Sequence, residues 1–402
     1  MKFHGQISPL ERDSDAFSHT NFKTLNGYQN HSSSRSLVRV VGHIDFDYFY
    51  AQVEEVENPA LKSRPVIVCV FSGRTEDSGV VSTANYKARE LGVRSGMPIA
   101  LAKKALDGMD AAVIKMDHEK YETVSGRIME ELEGRVDILE PTSIDEAFFD
   151  ITSSTGGDYS RAVDAANSIK GAIFAREHLT SSIGLGRSRT VAKLGSDIAK
   201  PNGLKAVYPE ETESFLASMP VAKLYGVGPK TSATLDSMGI RTAGELAMVQ
   251  PAELERAFGR KLSAYLLGAA TGTDPDPVVA GAPPTQFSRI ITLSRDTRDP
   301  QEAFNQLSKG VEYVHRKLIT SGKMFRTVTA IGILTDLSTK TKSRSFEAPS
   351  DDAMALRDVT FSLFQELSSS VTRDFRRVGI RVSGLSTVDN QSSLSQFFQA
   401  GG

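Results

Sequence analysis

Cysteine occurs once, at Cys69, so no disulfide can form within the chain, and with seven scattered histidines no zinc-ligand spacing can be assembled. Cys69 lies in the apolar run 65–70, where it reads as a small buried hydrophobe, and a reducing compartment suits it. No apolar run approaches the length of a membrane span, and residues 1–36, rich in Ser, Asn and His, lack the apolar core of a secretory signal. A cytoplasmic location away from the membrane is therefore expected. An excess of one charge sign is missing too: 47 Lys and Arg face 49 Asp and Glu, a net charge of −2, which is not the basic footprint usual for nucleic-acid binding.

The charge is nevertheless segregated. Residues 285–388 hold 16 Lys and Arg against 11 Asp and Glu, so a basic C-terminal part accompanies an acidic remainder. Such a division suits a protein that grips phosphates at a distance from an acidic centre. At 402 residues, with 40% hydrophobic and 24% charged residues, the chain has the composition of an ordinary globular protein with room for two to four domains.

Residues 1–36 are polar, with little periodic apolar content, and are expected to be disordered. Segments 37–48 and 115–207 alternate strand and helix signals and form one discontinuous body interrupted by a small unit, 49–114. A helical unit follows at 208–274, then a Pro- and Gly-rich linker at 275–286. Residues 287–388 place strand-like runs at 287–293, 327–334 and 378–382 between helical stretches 300–320 and 351–370, an α+β pattern. The last stretch, 389–402, is a polar tail.

Two carboxylate clusters stand about a hundred residues apart. The apolar run 37–44 predicts a buried strand delivering Asp45 to its tip, with Asp47 a candidate N-cap for the helix that opens after it. Around Asp145 and Glu146, the runs 136–140 and 147–151 predict a hairpin with both acids near its bend. Acidic residues at the ends of adjacent strands can hold two Mg²⁺ ions roughly 3.5–4 Å apart, the arrangement used for in-line displacement at phosphorus. Mg²⁺ takes oxygen ligands and keeps positions open for water and substrate phosphates, so few carboxylates suffice. Further on, Gly226-Val227-Gly228-Pro229-Lys230-Thr231 is not a P-loop, because Pro229 separates glycine from lysine.

Taken in order, Ile44-Asp45-Phe46-Asp47-Tyr48-Phe49-Tyr50, Pro65-Val66-Ile67-Val68-Cys69-Val70, Thr83-Ala84-Asn85-Tyr86-Lys87-Ala88-Arg89, Ser143-Ile144-Asp145-Glu146-Ala147 and Ala199-Lys200-Pro201-Asn202-Gly203 resemble the Y-family translesion DNA polymerases. The resemblance is to the DinB, or DNA polymerase IV, branch in its archaeal form and spans about residues 37–398. It implies an α+β multidomain right hand: a ferredoxin-like palm (37–48 and 115–207), small fingers (49–114), a helical thumb with a helix-hairpin-helix (208–274) and an α+β little finger (287–388).

The resemblance also implies roles. Asp45 and Asp145 would bridge two Mg²⁺ ions, Glu146 would bind the ion that activates the primer 3′-hydroxyl, and the Phe46 carbonyl would complete the nucleotide-side site. Tyr48, Phe49, Thr83, Tyr86, Arg89 and Lys200 would surround the incoming nucleotide, the last four on its triphosphate. Tyr50 matches the steric gate against a ribose 2′-hydroxyl. Val70, Val80 and Ser82 match the small residues roofing the templating base, and the openness they leave would admit lesions and lower fidelity. Gly226, Gly228 and Lys230 would bring backbone amides and a helix N-terminus to a DNA phosphate.

The tail segment Gln391-Ser392-Ser393-Leu394-Ser395-Gln396-Phe397-Phe398 resembles a sliding-clamp-binding box, in which Gln391, Leu394, Phe397 and Phe398 would dock one helical turn in an apolar pocket. The implied protein is a monomeric, template-directed, low-fidelity DNA polymerase with primer-template DNA, dNTP and a sliding clamp as partners. Alternatives are a deoxycytidyl transferase of the same superfamily, a nucleotidyl cyclase, and a non-catalytic DNA-binding scaffold. A cyclase needs neither the glycine turn nor a basic C-terminal part, and a scaffold needs no intact Asp45, Asp145 and Glu146.

Overall fold

The computed structural model describes residues 37–281 and 284–387. The expectation of disorder for 1–36 and the clamp-binding motif at Gln391, Leu394, Phe397 and Phe398 lie outside the described residues.

The chain enters through β1 (Val41–Phe46) and α1 (Phe49–Glu57). A small unit follows, made of β2 (Val66–Phe71), β3 (Gly79–Ala84), α2 (Tyr86–Glu90), α3 (Ile99–Ala105) and β4 (Ala112–Lys115), with strand order β3-β2-β4. The chain then returns through α4 (His118–Glu133), β5 (Ile138–Pro141), β6 (Glu146–Asp150), a single turn α5 (Thr152–Thr155), α6 (Tyr159–Glu177), β7 (Ser181–Gly186), α7 (Arg189–Ala199) and β8 (Leu204–Ala206). These complete a five-stranded sheet of order β5-β6-β1-β7-β8. Setting β8 aside, the succession β1, α4, β5, β6, α6, β7 is the ferredoxin-like βαββαβ unit.

Strand alternation divides the residues of β1 between two faces. Ile44 and Phe46 pack with Tyr121, Ile128, Phe149, Ala166 and Ile183 in the main core under α4 and α6. Val41, His43 and Asp45 face the other way, toward α7. Helix α7 can lie close on β7 because Gly184 has no side chain: a Cβ there would stand 2.0 Å from the Ala192 carbonyl oxygen. The expected strand 37–44 begins later than periodicity suggests, since pairing on both sides of β1 starts only at Val41, and Leu37 and Val38 are exposed.

Asp47 does not cap α1, contrary to the sequence expectation. The N-cap position is Tyr48, in left-handed backbone with φ 36° and no side-chain cap, while the Asp47 carboxylate turns into the interior.

A third core gathers α8 (Thr212–Ala217), α9 (Pro229–Ser237), α10 (Ala243–Ala247) and α11 (Pro251–Thr271), the last interrupted at Gly259 with φ 74°. A fourth core belongs to β9 (Gln286–Thr297), α12 (Pro300–Thr320), β10 (Lys323–Leu334), β11 (Thr339–Ser350), α13 (Ala353–Ser369), β12 (Phe375–Ser383) and a short β13 (Ser386–Thr387). Its sheet order is β11-β10-β12-β9, with α12 and α13 on one face. Strand β11 is absent from the sequence expectation because it is an exposed edge strand of Thr, Lys, Ser and Arg without an apolar period.

Candidate active site

Strand register brings three carboxylates to one end of the five-stranded sheet. Asp45 on β1 is the cross-strand partner of Glu146 on β6 and of Ser182 on β7. Asp145 lies one residue before β6 in the hairpin turn, as expected. Its carbonyl accepts a hydrogen bond from the Phe46 N–H at 2.9 Å, and its carboxylate accepts one from Ser143 Oγ at 2.6 Å. Like charges directly opposite on one sheet face repel. Asp45 is only 7% exposed, so water does little to relieve the repulsion.

Two ammonium groups neutralise the cluster. Lys193 Nζ lies 2.6 Å from Glu146 Oε2 and 3.2 Å from Asp45 Oδ2, and Lys200 Nζ lies 2.7 Å from Asp45 Oδ2. Seven residues make two helical turns, so Lys193 in α7 and Lys200 at its C-cap emerge on the same side. Burial would lower the Lys193 ammonium, but the hydrogen bond to Glu146 and the charges of Asp45 and Asp197 leave it raised. Burial also pushes the Asp145 carboxyl above the usual carboxylate range. The Ser143 hydrogen bond opposes that shift, and the charges of Asp45 and Glu146 add to it.

Among the described residues, no group of three or more His, Cys, Asp and Glu side chains is arranged to hold a metal ion. The lysine ammoniums take the position between Asp45 and Glu146. The donor set nevertheless fits a hard divalent cation: Asp45, Asp145 and Glu146 supply carboxylate oxygens at one sheet end, where cationic ammonium groups already gather. His43, two residues before Asp45 on the same face, is held neutral by burial and by the charges of Lys193, Lys200 and Arg189. Its Nδ1 lies 2.8 Å from Ser196 Oγ, and its Nε2 is 3.7 Å from Glu146 Oε2.

The aromatic residues after Asp47 divide by burial. Phe46 and Phe49 are core residues, so what they can offer a ligand is backbone. Tyr48 and Tyr50 are half-buried at the site. The Tyr48 hydroxyl donates to Glu55 at 3.1 Å, and its ring meets Tyr86 edge-on with centroids 5.0 Å apart. The Tyr50 ring lies 4.6 Å from that of Tyr121. Burial raises the Tyr50 phenol, with the charges of Asp145 and Glu122 adding to it.

On the far side of the Tyr48 ring, α2 presents Tyr86 and Arg89, whose guanidinium lies 5.4 Å from the Tyr86 ring centre. Burial pushes the Tyr86 phenol up to about 12, with Asp47 contributing. Thr83 is buried at the end of β3. Val70 and Val80 are cross-strand partners with exposed side chains, and Ser82 follows one pleat later. Far from these, Gly226 with φ 78° and Gly228 as N-cap lead into α9, where Lys230 is exposed. A Cβ on Gly226 would meet the Tyr265 hydroxyl at 2.8 Å.

Sequence reasoning missed Lys193, His43 and the role of Asp47. The seven-residue spacing of Lys193 and Lys200 is the one signal that points to the first of these.

Three family models match the chain: the impB/mucB/samB family over residues 44–197, the C-terminal domain of that family over 284–396, and the DNA polymerase-iota thumb domain over 222–274. A DNA polymerase IV from Nitrosopumilus maritimus is 37% identical over 361 residues, covering 90% of this chain and 99% of the relative. One from Methanosarcina acetivorans is 40% identical over 365 residues, covering 89% and 99%. Among solved structures, a Y-family polymerase chimera of Dbh and Dpo4 superposes with a TM-score of 0.82 at 34% identity, covering 87% of this chain and 99% of that one. An insertion ternary complex of Dbh DNA polymerase gives 0.64 at 34% identity with the same coverage.

Proposed function

The chain belongs to the Y-family of DNA polymerases, in the DNA polymerase IV branch, and from that premise we propose that Asp45, Asp145 and Glu146 are the catalytic carboxylates of template-directed translesion synthesis, holding two Mg²⁺ ions with the Phe46 carbonyl. The observation that carries this assignment is the facing pair Asp45 and Glu146 beside Asp145, neutralised by Lys193 and Lys200 where divalent cations would do so. Y-family polymerases use divalent metal ions; when bound, such ions supply Lewis-acid charge to the reacting phosphate and acidify the attacking hydroxyl.

The chain's own residues would do the rest. Lys200, Arg89, Tyr86 and Thr83 bind the triphosphate, with Lys200 and Arg89 offsetting charge on the departing pyrophosphate as the primer 3′-oxygen bonds to the α-phosphorus, while Tyr48 and the backbone of Phe49 border the nucleotide. The free N–H groups of the first turn of α1 offer further donors. Tyr50 lies under the sugar and excludes a 2′-hydroxyl by shape. Val70, Val80 and Ser82 roof the templating base. Gly226, Gly228 and Lys230 bind a duplex phosphate, and the tail motif Gln391, Leu394, Phe397 and Phe398 docks a sliding clamp, which raises local concentration without new catalytic contacts. The domain boundaries inferred from sequence belong to the same reading, as do a monomeric state and a cytoplasmic location.

Primer extension with each dNTP singly and with all four separates the alternatives. A template-directed polymerase adds the complementary nucleotide and then copies the template. Addition of dCMP alone whatever the template would indicate a deoxycytidyl transferase, and no addition a scaffold or, where the dNTP is nevertheless consumed with release of pyrophosphate, a cyclase. In the same assay Tyr50→Ala should raise ribonucleotide incorporation relative to deoxyribonucleotide by an order of magnitude or more, and an unchanged ratio would remove the gate from Tyr50. Phe397→Ala with Phe398→Ala should abolish stimulation by the clamp while basal extension stays intact.

A further inference from the structure

We propose that Asp47 is a positioning residue for nucleotide binding, acting through the loop that carries Lys200. This inference rests on the assignment of Lys200 to the triphosphate. Asp47 is 1% exposed, and its carboxylate accepts hydrogen bonds from three separate places. Thr180 Oγ1 donates to Oδ2 at 2.8 Å, Asn202 N–H to Oδ2 at 2.9 Å, and Ser182 Oγ to Oδ1 at 3.0 Å. Thr180 precedes β7, Ser182 lies in β7, and Asn202 lies two residues after Lys200 in the connection from α7 to β8. A helix cap would explain none of these bonds, because the N-cap of α1 is Tyr48.

The donors are all uncharged. Burial costs a carboxylate more hydration than it would cost a neutral amide of the same shape. A carboxylate is nevertheless the one side chain of this size that can accept on both oxygens at once. An amide at position 47 could face its NH₂ to the Ser182 hydroxyl, which can also accept, but it would lose the negative charge that strengthens the bonds from the Asn202 N–H and the Thr180 hydroxyl.

The network joins two strained turns. Tyr48 has φ 36° and Asn202 has φ 49°, left-handed backbone that residues other than glycine rarely adopt and that surrounding contacts must hold. Gln52 reinforces the first turn: its Nε2 donates to the Asp47 carbonyl at 2.6 Å, and its Oε1 accepts from the Thr180 N–H at 2.5 Å. Lys170 reinforces the second, with Nζ donating to the carbonyls of Asn202 at 2.7 Å and Gly203 at 2.9 Å. Between the turns, the Lys200 ammonium reaches Asp45 Oδ2. Asp45 and Asp47 thus lie two residues apart on one strand end; Asp45 meets the tip of Lys200 while Asp47 anchors the backbone that carries it. That anchor sets how far Lys200 projects into the cleft.

The test is single-turnover incorporation of the correct dNTP by the full chain on primer-template DNA. Asp47→Asn should weaken apparent dNTP affinity roughly tenfold, with a smaller change in maximal rate and none in DNA affinity, the pattern of lost ground-state binding. Inhibition by inorganic tripolyphosphate, which has no base or sugar, should weaken by the same factor. Lys200→Ala alone should weaken dNTP affinity at least as much, and adding Asp47→Asn to it should change affinity less than about twofold, since both act through one contact.

A merely structural Asp47 would give multiplying effects in the double variant or a general loss of rate and DNA binding, and either result overturns the inference while leaving Lys200 on the triphosphate. A silent Lys200→Ala would overturn that assignment and this inference together. If Asp47→Asn does not fold, Thr180→Val removes one donor at constant shape. It should weaken dNTP affinity by a smaller factor that also vanishes in the Lys200→Ala background, and an unchanged affinity would overturn the proposal.

Discussion

At position 145 the protein keeps a carboxylate where ionisation is opposed by burial and by two neighbouring acids. Asp145→Asn retains the shape and an acceptor for Ser143 but removes the charge, so in the absence of metal near pH 7 it should melt a few degrees above the wild type. The sign of the pH dependence follows from the raised pKa. The folded state holds this proton more tightly than the unfolded chain, so the contribution to stability is full below the unfolded value of about 3.9 and is lost as pH rises through the folded value. The gap between variant and wild type should therefore open with rising pH and close below about pH 4. Melting curves across that range check it; a gap of constant size would show that charge is not its cause. The acids themselves are legible in the sequence because each follows or precedes an apolar strand run. Lys193 is not, since nothing in Val191-Ala192-Lys193-Leu194 distinguishes it from a solvated lysine until α7 is known to lie against β1. Asp47 misleads for a related reason: an acid just before a helix reads as its cap, and only the tertiary partners Thr180, Ser182 and Asn202 show otherwise.

Among the elements, α7 decides the site, because it carries both lysines and rests on β7 through Gly184. A Cβ at 184 would stand 2.0 Å from Ala192 O and 2.3 Å from Ser196 N, backbone atoms that cannot swing aside. Gly184→Ala should therefore lower the unfolding free energy by about 1–3 kcal/mol, the usual cost of overpacking. It should also reduce extension by displacing Lys193 and Lys200. Gly171→Ala on α6, where a Cβ meets nothing within 4 Å, should instead be neutral or stabilising by up to about 1 kcal/mol. Denaturant unfolding of the two variants checks the contrast, and equal effects would mean that α7 is free to shift. The helices 300–320 and 351–370 and the hairpin around Asp145 are legible because their apolar periods are strong. Strand β11 is not, because periodicity reports burial and this strand buries almost nothing.

For the whole molecule, the chain order of motifs is legible but their assembly is not, because the joining contacts link residues far apart in sequence. Arg74 in the β2–β3 turn pairs with Asp296 and donates to the Leu293 carbonyl at 2.7 Å, bridging fingers and little finger. Lys317 on α12 lies 3.5 Å from Glu122 on α4. The stretch leading to the little finger is tied down where Val279 N–H donates to Glu140 at 2.9 Å and Glu140 pairs with Arg189 at 2.6 Å. These contacts set the basic C-terminal domain beside an acidic body, and the proposed assignment predicts that DNA affinity and chemistry reside in different residues and can be separated by substitution. The most direct measurement is metal-dependent primer extension by the full chain carrying Asp45→Ala, Asp145→Ala or Glu146→Ala, with primer-template affinity measured alongside. Each variant should lose extension by at least about a thousandfold, a loss in line with removing charge stabilisation at a reacting phosphate, while binding DNA within a few fold of the wild type. Near-normal extension by any of the three would contradict the assignment of these carboxylates to catalysis.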